Sequence, residues 1–254
     1  DKPAAAMLKA SLEQKGLKFM MEAQTAELTG EKRVTGVRFA DGSEVEADLV
    51  VMAVGIRPNI ELAQQAGIYC ERGIVVNDTM QTYDPRIYAV GECVQHRNQC
   101  YGLVAPLFEQ ARVAANHLAL VGSTRYEGSV TSTKLKVTGI DLFSAGNFNE
   151  EKGDEAMVLQ DPASGTYKKL VIRDNRIKGA VLYGDTMDGS WYFQLMREGT
   201  NIADFRRTIM FGQHDLGDAG HGDAQVLVLP DSAEICGCNG VCKGEIVNAI
   251  SKKG

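Results

Sequence analysis

Ile87-Tyr88-Ala89-Val90-Gly91-Glu92 is an apolar run that meets a glycine and then a carboxylate. A stretch of the same build, Ala53-Val54-Gly55-Ile56-Arg57-Pro58, lies upstream. Each reads as a strand whose C-terminal end turns on glycine, which lets a ligand come close to the backbone. In open α/β sheets ligands gather outside such carboxyl ends. The first corner is fed by Asp48 to Gly55, a continuous apolar run of the kind buried on both faces of a sheet. The second is followed by the clearest helix of the chain, residues 103–120, with Leu107, Ala111, Ala114, Ala115 and Leu118 along one side and Gly122 as its stop. That helix would aim a positive N-terminal end at an electron-rich ligand. A carboxylate such as Glu92 can accept hydrogen bonds from ribityl or sugar hydroxyls. Either corner alone is an ordinary turn glycine, and Glu92 alone a solvated acid. Two corners followed by a helix point to a flavin site.

Outward from these corners, residues 3–15 read as a helix with Pro3 in its first turn, Ala5, Leu8 and Leu12 on one face, and Gly16 at its end. Lys18 to Met21 is expected as a short strand. Val34–Phe39 and Ser43–Ala47 flank Asp41-Gly42 as a hairpin. Pro58 and Asn59 break the pattern, residues 60–66 carry one or two helical turns, and Ile74-Val75-Val76 and Ile87–Val90 are short strands. Beyond residue 126 the segments 130–138, 156–160, 167–173 and 176–183 are β-like. Turns fall at Pro162–Gly165 and Asp174-Asn175, and a helix at 188–198 is ended by Gly199. This is a small antiparallel α+β unit, distinct from the α/β part before it. Trp191-Tyr192-Phe193 belongs to its core. Residues 213–232 are rich in glycine and aspartate and read as a linker.

The chain has 254 residues and a net charge of -6, with lysine and arginine dispersed and outnumbered, which argues against nucleic acid as a partner. The apolar run Leu49–Ile56 is far too short to span a bilayer. No export signal opens the sequence, so its six cysteines are expected reduced, in the cytoplasm. The lack of an initial Met suggests a fragment or a processed chain.

Ile235-Cys236-Gly237-Cys238-Asn239-Gly240-Val241-Cys242 can present two thiolates to one metal centre. An iron–sulfur cluster takes four ligands, so Cys236 and Cys238 would supply half a set. Zinc held by Cys236, Cys238, Cys242 and His221 is the alternative. Cys70 and Cys100 read as incidental thiols. Cys93 adjoins the second corner but has no cysteine nearby in sequence to form a redox dithiol. His96 lies within reach of the corner and reads as a hydrogen-bonding loop residue; His117, His214 and His221 have no visible partner.

The stretches Val54–Asn59, Tyr88–Cys93, Tyr101–Gln110 and Ile235–Val241 together resemble the pyridine nucleotide-disulfide oxidoreductase family, and within it the large-subunit branch of the NAD(P)H nitrite reductases. The resemblance implies the second half of an FAD- and NAD(P)-binding two-domain fold. A small antiparallel α+β domain and the start of a bacterioferritin-associated-ferredoxin-like [2Fe-2S] module would follow. It places the end of an NAD(P)H domain at 1–54, the end of an FAD domain at 55–125, an interface domain at 126–212, a linker at 213–232 and the [2Fe-2S] module at 233–254. FAD would be held by Gly55, Arg57, Pro58, Gly91, Glu92, Pro106 and Leu107, with Glu92 on the ribityl chain. Cys236 and Cys238 would hold the cluster, with no catalytic residue assigned to this chain. The cofactors implied are FAD, NADH or NADPH and [2Fe-2S], with sirohaem and [4Fe-4S] further on. The substrates are small molecules, a small nitrite reductase subunit is a candidate partner, and oligomers are open.

Neither the two Gly-x-Gly-x-x-Gly loops nor the second cysteine pair of that family occurs in the sequence, so the resemblance implies that the loops lie before Asp1 and the pair after Gly254. This segment alone would then be inactive and hold no stable cluster. The alternatives are an NAD(P)H-dependent ferredoxin- or rubredoxin-type reductase, and a non-catalytic oligomerisation module built on residues 130–212.

Overall fold

The computed structural model describes residues 1–120, 122–137, 139–213, 231, 233–236 and 241–253. Two compact units emerge: Lys2–Ile56, and Arg57–Gly254 together with Asp1.

In the first unit helix α1 (Lys2–Gln14) precedes a three-stranded antiparallel meander, β1 (Thr25–Thr29), β2 (Gly36–Phe39) and β3 (Glu44–Glu46), in the order β1-β2-β3. The hairpin expected at Asp41-Gly42 is present. Gly42 takes a positive φ of 87°, and Asp41 Oδ1 accepts both the amide (2.9 Å) and the hydroxyl (2.6 Å) of Ser43. Strand β1 was not expected: its threonines and Glu27 carry no apolar alternation. It is held by backbone pairing to β2 and by Arg38, which bonds Glu27 and Glu44 on either side.

Two expectations fail here. Lys18–Met21 is unpaired chain. Leu49–Gly55 forms no strand, and its side chains face solvent, with Val54 90% and Met52 81% exposed. A strand needs a partner ladder as well as an apolar sequence, and the only strands of this unit pair with one another.

The second unit begins with α2 (Glu61–Gln65), then β4 (Ile74–Val76), β5 (Val94–His96) and α3 (Val104–Leu118). Strands β4 and β5 pair in parallel, Ile74 opposite Val94. Gly73 makes this approach feasible, because a Cβ there would lie 2.8 Å from the Gln95 nitrogen. The strand expected at 87–90 is displaced. Those residues make one isolated bridge, Tyr88 to Gln81, and the paired strand starts after Gly91. Gly91 therefore precedes a strand instead of ending one.

The buried face of α3 also differs from expectation: it is Pro106, Gln110, Val113 and Ala114, while Leu118 is exposed. This face packs with Val76, Met80, Val94 and Tyr126.

A five-stranded antiparallel sheet follows: β6 (Ser132–Val137), β7 (Ile140–Gly146), β8 (Glu155–Asp161), β9 (Thr166–Arg173) and β10 (Arg176–Tyr183), in the order β6-β7-β10-β9-β8. Strand β7 is an addition to the expected set. The turn Asp174-Asn175 joins β9 to β10 with both residues at positive φ (50° and 53°), the conformation a tight hairpin demands. Helix α4 (Gly189–Glu198) ends at left-handed Gly199 and packs Tyr192, Leu195 and Met196 on Phe143, Leu170, Ile172 and Leu182 of the sheet. Tyr192 is fully buried, and its hydroxyl donates to the Ile209 carbonyl at 2.6 Å. Trp191 and Phe193 pack at the edge of this core.

At the C-terminus β11 (Glu234–Cys236) and β12 (Val241–Cys242) pair antiparallel and run into α5 (Lys243–Lys253). Most of the expected linker at 213–232, with His214 and His221, lies outside the described residues, as does Cys238.

Candidate cofactor site

Gly91 takes φ 109°, a backbone state that side chains other than hydrogen rarely adopt. A Cβ built there would meet nothing within 4 Å, so the corner opens onto free space. Its amide donates to Gln110 Oε1 on α3 at 3.0 Å, and its carbonyl accepts the Val94 amide at 3.1 Å. The corner is thus bound to the helix on one side and to the start of β5 on the other. Glu92 is exposed beside it and makes no hydrogen bond or ion pair among the described residues.

Helix α3 starts after extended Leu103 (φ -113°, ψ 145°) with no side chain capping it. Its first amides are therefore free to receive an acceptor. Pro106 is buried and Leu107 half-buried in this first turn. Pro58 is buried, Arg57 exposed, and Gly55 lies in the Lys2–Ile56 unit. Asn59, next to Pro58, and Cys93, next to Glu92, line one apolar cleft of about 440 Å³ with Leu62, Ile74 and Ile87. The chain just beyond Arg57-Pro58 and the chain just beyond Gly91-Glu92 therefore converge.

Open space at a positive-φ glycine, uncapped helix amides and a carboxylate without a partner among the described residues form a donor and acceptor set that fits a flavin with its ribityl chain.

His96, Arg97, His117 and Gln110 acquire partners that the sequence did not identify. His96 is fully buried, with Nε2 2.9 Å from Asp78 Oδ1 and its ring 4.8 Å from that of Tyr126. Arg97 grips the same Asp78 with two hydrogen bonds, 3.1 and 2.8 Å. Arg97, then His96, draws the Asp78 carboxyl down to about 2. His96 is thus a packed, hydrogen-bonded residue. His117, for which no partner was expected, meets Tyr88: its Nδ1 is 2.6 Å from the tyrosine hydroxyl. Tyr126 is held in the core, and burial pushes its hydroxyl up to about 12. Only the i, i+4, i+7, i+8 spacing of Pro106, Gln110, Val113 and Ala114 could have revealed Gln110 as an inward residue.

Cys93 is half-buried, its Sγ 3.7 Å from the Val90 carbonyl, and Cys70, Cys93, Cys100 and Cys242 are free thiols. Burial, with Cys93 nearby, pushes the Cys70 thiol up. Cys242 stands at the start of α5, where its amide donates to Glu245 at 2.9 Å. Among the described residues no three metal-ligating side chains come together, and none of their helices is long and apolar enough to cross a membrane.

Residues 1–117 match the pyridine nucleotide-disulphide oxidoreductase family, and residues 132–200 the rubredoxin NAD+ reductase C-terminal domain. The whole chain is 49% identical to nitrite reductase [NAD(P)H] of Bacillus subtilis (strain 168), covering 31% of that protein. Over 98% of its length it is 41% identical to the assimilatory nitrate reductase electron transfer subunit of the same organism, covering 32% of it. Among solved structures, the covalent putidaredoxin reductase–putidaredoxin complex superposes with a TM-score of 0.67 at 25% identity, over 79% of this chain and 49% of that one. The chain spans about a third of the length of the two curated relatives.

Proposed function

We propose that this protein is the electron-relay part of an NAD(P)H-dependent nitrite reductase large subunit, because residues 1–117 match the pyridine nucleotide-disulphide oxidoreductase family and residues 132–200 the rubredoxin NAD+ reductase C-terminal domain. The observation that carries the reading is the presence, in one chain, of the open Gly91-Glu92 corner and the Cys236-Gly237-Cys238 pair. The first suits a two-electron cofactor and the second a one-electron centre. The 49% identity over the whole chain supports the same choice.

The residues proposed to hold FAD are Gly55, Arg57, Pro58, Gly91, Glu92, Pro106 and Leu107. Glu92 would accept hydroxyl donors, the first amides of α3 would be open to electron-rich carbonyls, and buried Pro106 with half-buried Leu107 would limit water. The chemistry such a flavin supplies is the exchange of hydride for single electrons. Cys236 and Cys238 are proposed as the thiolates of one iron of a [2Fe-2S] centre. The proposed division assigns 1–54 to the NAD(P)H domain, 55–125 to the FAD domain, 126–212 to an interface domain, 213–232 to a linker and 233–254 to the cluster module. Nitrite would be reduced at a sirohaem and [4Fe-4S] site elsewhere in the parent, with a small subunit as partner, in the cytoplasm where thiols stay reduced.

A second reading is supported by the 41% match to a nitrate reductase electron transfer subunit: the same relay delivers electrons to a nitrate-reducing partner. The full-length enzyme, purified without oxygen, separates the two. Under the first reading it shows a flavin absorption band that NADH or NADPH bleaches and nitrite restores, with ammonium formed. Recovery of the band only when a nitrate reductase and nitrate are added selects the second. An enzyme without flavin ends both. Glu92→Ala should weaken FAD retention, and unchanged flavin content would remove that residue from the site.

A further inference from the structure

Gln110 is 1% exposed on the apolar face of α3, where a leucine or methionine would fill the same space. Its Oε1 accepts the Gly91 amide at 3.0 Å. Its Nε2 is buried with no hydrogen-bond partner among the described residues. The Tyr126 hydroxyl engages this amide as an acceptor, from outside full hydrogen-bond geometry. A buried donor met so weakly is unfavourable beside an apolar side chain of the same size, so an amide kept here serves something other than packing.

What it serves is the corner. Gly91 sits outside any ladder, at φ 109°, between two exposed neighbours, Val90 and Glu92. A glycine peptide in such a place rotates easily, and each rotation would swing Glu92 with it. The carbonyl side of Gly91 is held by the Val94 amide, and the bond from the Gly91 amide to Gln110 removes the freedom left on the other side. Near Gln110, Tyr126 is fixed by a 2.7 Å bond to Ser129, and Ser129 also bonds Glu109 of the same helix.

We infer that Gln110 is a positioning residue for the cofactor: it locks the Gly91 peptide and thereby aims Glu92. The inference rests on the reading of Glu92 as a flavin contact.

The test is the FAD dissociation constant of the deflavinated full-length enzyme, read from flavin fluorescence, in the wild type, Gln110→Met, Glu92→Ala and the double variant. Gln110→Met is expected to raise the constant about tenfold, the worth of one hydrogen bond to a polar group. The double variant should bind no more weakly than Glu92→Ala, because one residue acts through the other. If Gln110→Met does not fold, Gln110→Asn, which withdraws the acceptor by one methylene, carries the same expectation. An unchanged constant in the Gln110 variant, or full additivity with Glu92→Ala, overturns the inference while leaving the flavin reading intact. An unchanged constant in Glu92→Ala overturns the reading of Glu92, and this inference with it.

Discussion

Asp78 meets two consecutive residues far along the chain: buried His96 and exposed Arg97 both bond its carboxylate. Its folded pKa is held at about 2, below the ordinary carboxylate value. A depressed folded value means the contribution is complete above the unfolded pKa and is lost as pH falls through the folded one. Asp78→Asn should therefore lower stability at neutral pH, and the gap to the wild type should close between about pH 4 and about pH 2. Urea unfolding across that range measures it; a gap independent of pH would refute the pairing. Tyr192 provides a second case. Its hydroxyl bonds the Ile209 carbonyl inside the core, and burial raises its pKa strongly. Tyr192→Phe leaves that carbonyl with the Gly212 amide alone, at 3.3 Å, and should cost about 0.5–1.5 kcal/mol in denaturant unfolding, the worth of one hydrogen bond.

Strand β10 is central to the five-stranded sheet, and Gly179 is the point where it passes closest to the chain leaving β7. A Cβ at Gly179 would lie 2.2 Å from the Asn147 carbonyl oxygen and 2.5 Å from the Phe148 nitrogen, both backbone atoms. Backbone cannot move aside as a side-chain tip can, so Gly179→Ala must shift β7 against β10. The expected cost is about 1–3 kcal/mol or more, read as a lower thermal midpoint. A midpoint equal to that of the wild type would show that the two chains do not cross so closely. Helix α4 meets the same sheet through Gly189, where a Cβ would fall 2.7 Å from the Phe143 ring. Two glycines thus set the spacing of the layer that buries Tyr192.

The two compact units differ in how much they bury. The Arg57–Gly254 unit contains the cluster around Leu170, Ile172, Leu182 and Tyr192 and the smaller one around Met80 and Val94. Between residues 2 and 56 the one buried apolar side chain is Ala4, while Leu49, Val51, Met52 and Val54 are exposed. Stability follows apolar burial, and so little of it cannot offset chain entropy. In a preparation of these 254 residues, amide hydrogen exchange should find residues 2–56 nearly unprotected and β9 and β10 the slowest to exchange. Equal protection in the two units would contradict this.

Local chemistry was legible from sequence wherever neighbouring residues decide it. Asp41-Gly42 and Asp174-Asn175 turn because their side chains and φ angles suit tight turns. Gly199 ends α4 because only glycine sits easily at left-handed φ. The strands β8, β9 and β10 appear close to where alternation puts them. The two corners and the Cys-x-Cys pair also stood out, because glycine, carboxylate and thiolate declare their chemistry without a fold. What sequence could not supply is partnership. The apolar run Leu49–Gly55 reads as a buried strand, yet burial and pairing come from other chain segments, and within Lys2–Ile56 none pairs with it. The strand anticipated at Ile87–Val90 moved past Gly91 because Ile74 and Gly73 select Val94 and Gln95 as neighbours. The inward face of α3 was set by contact with Val94 and Tyr126, which brought Gln110 to Gly91, a pairing that no periodicity in the sequence contains.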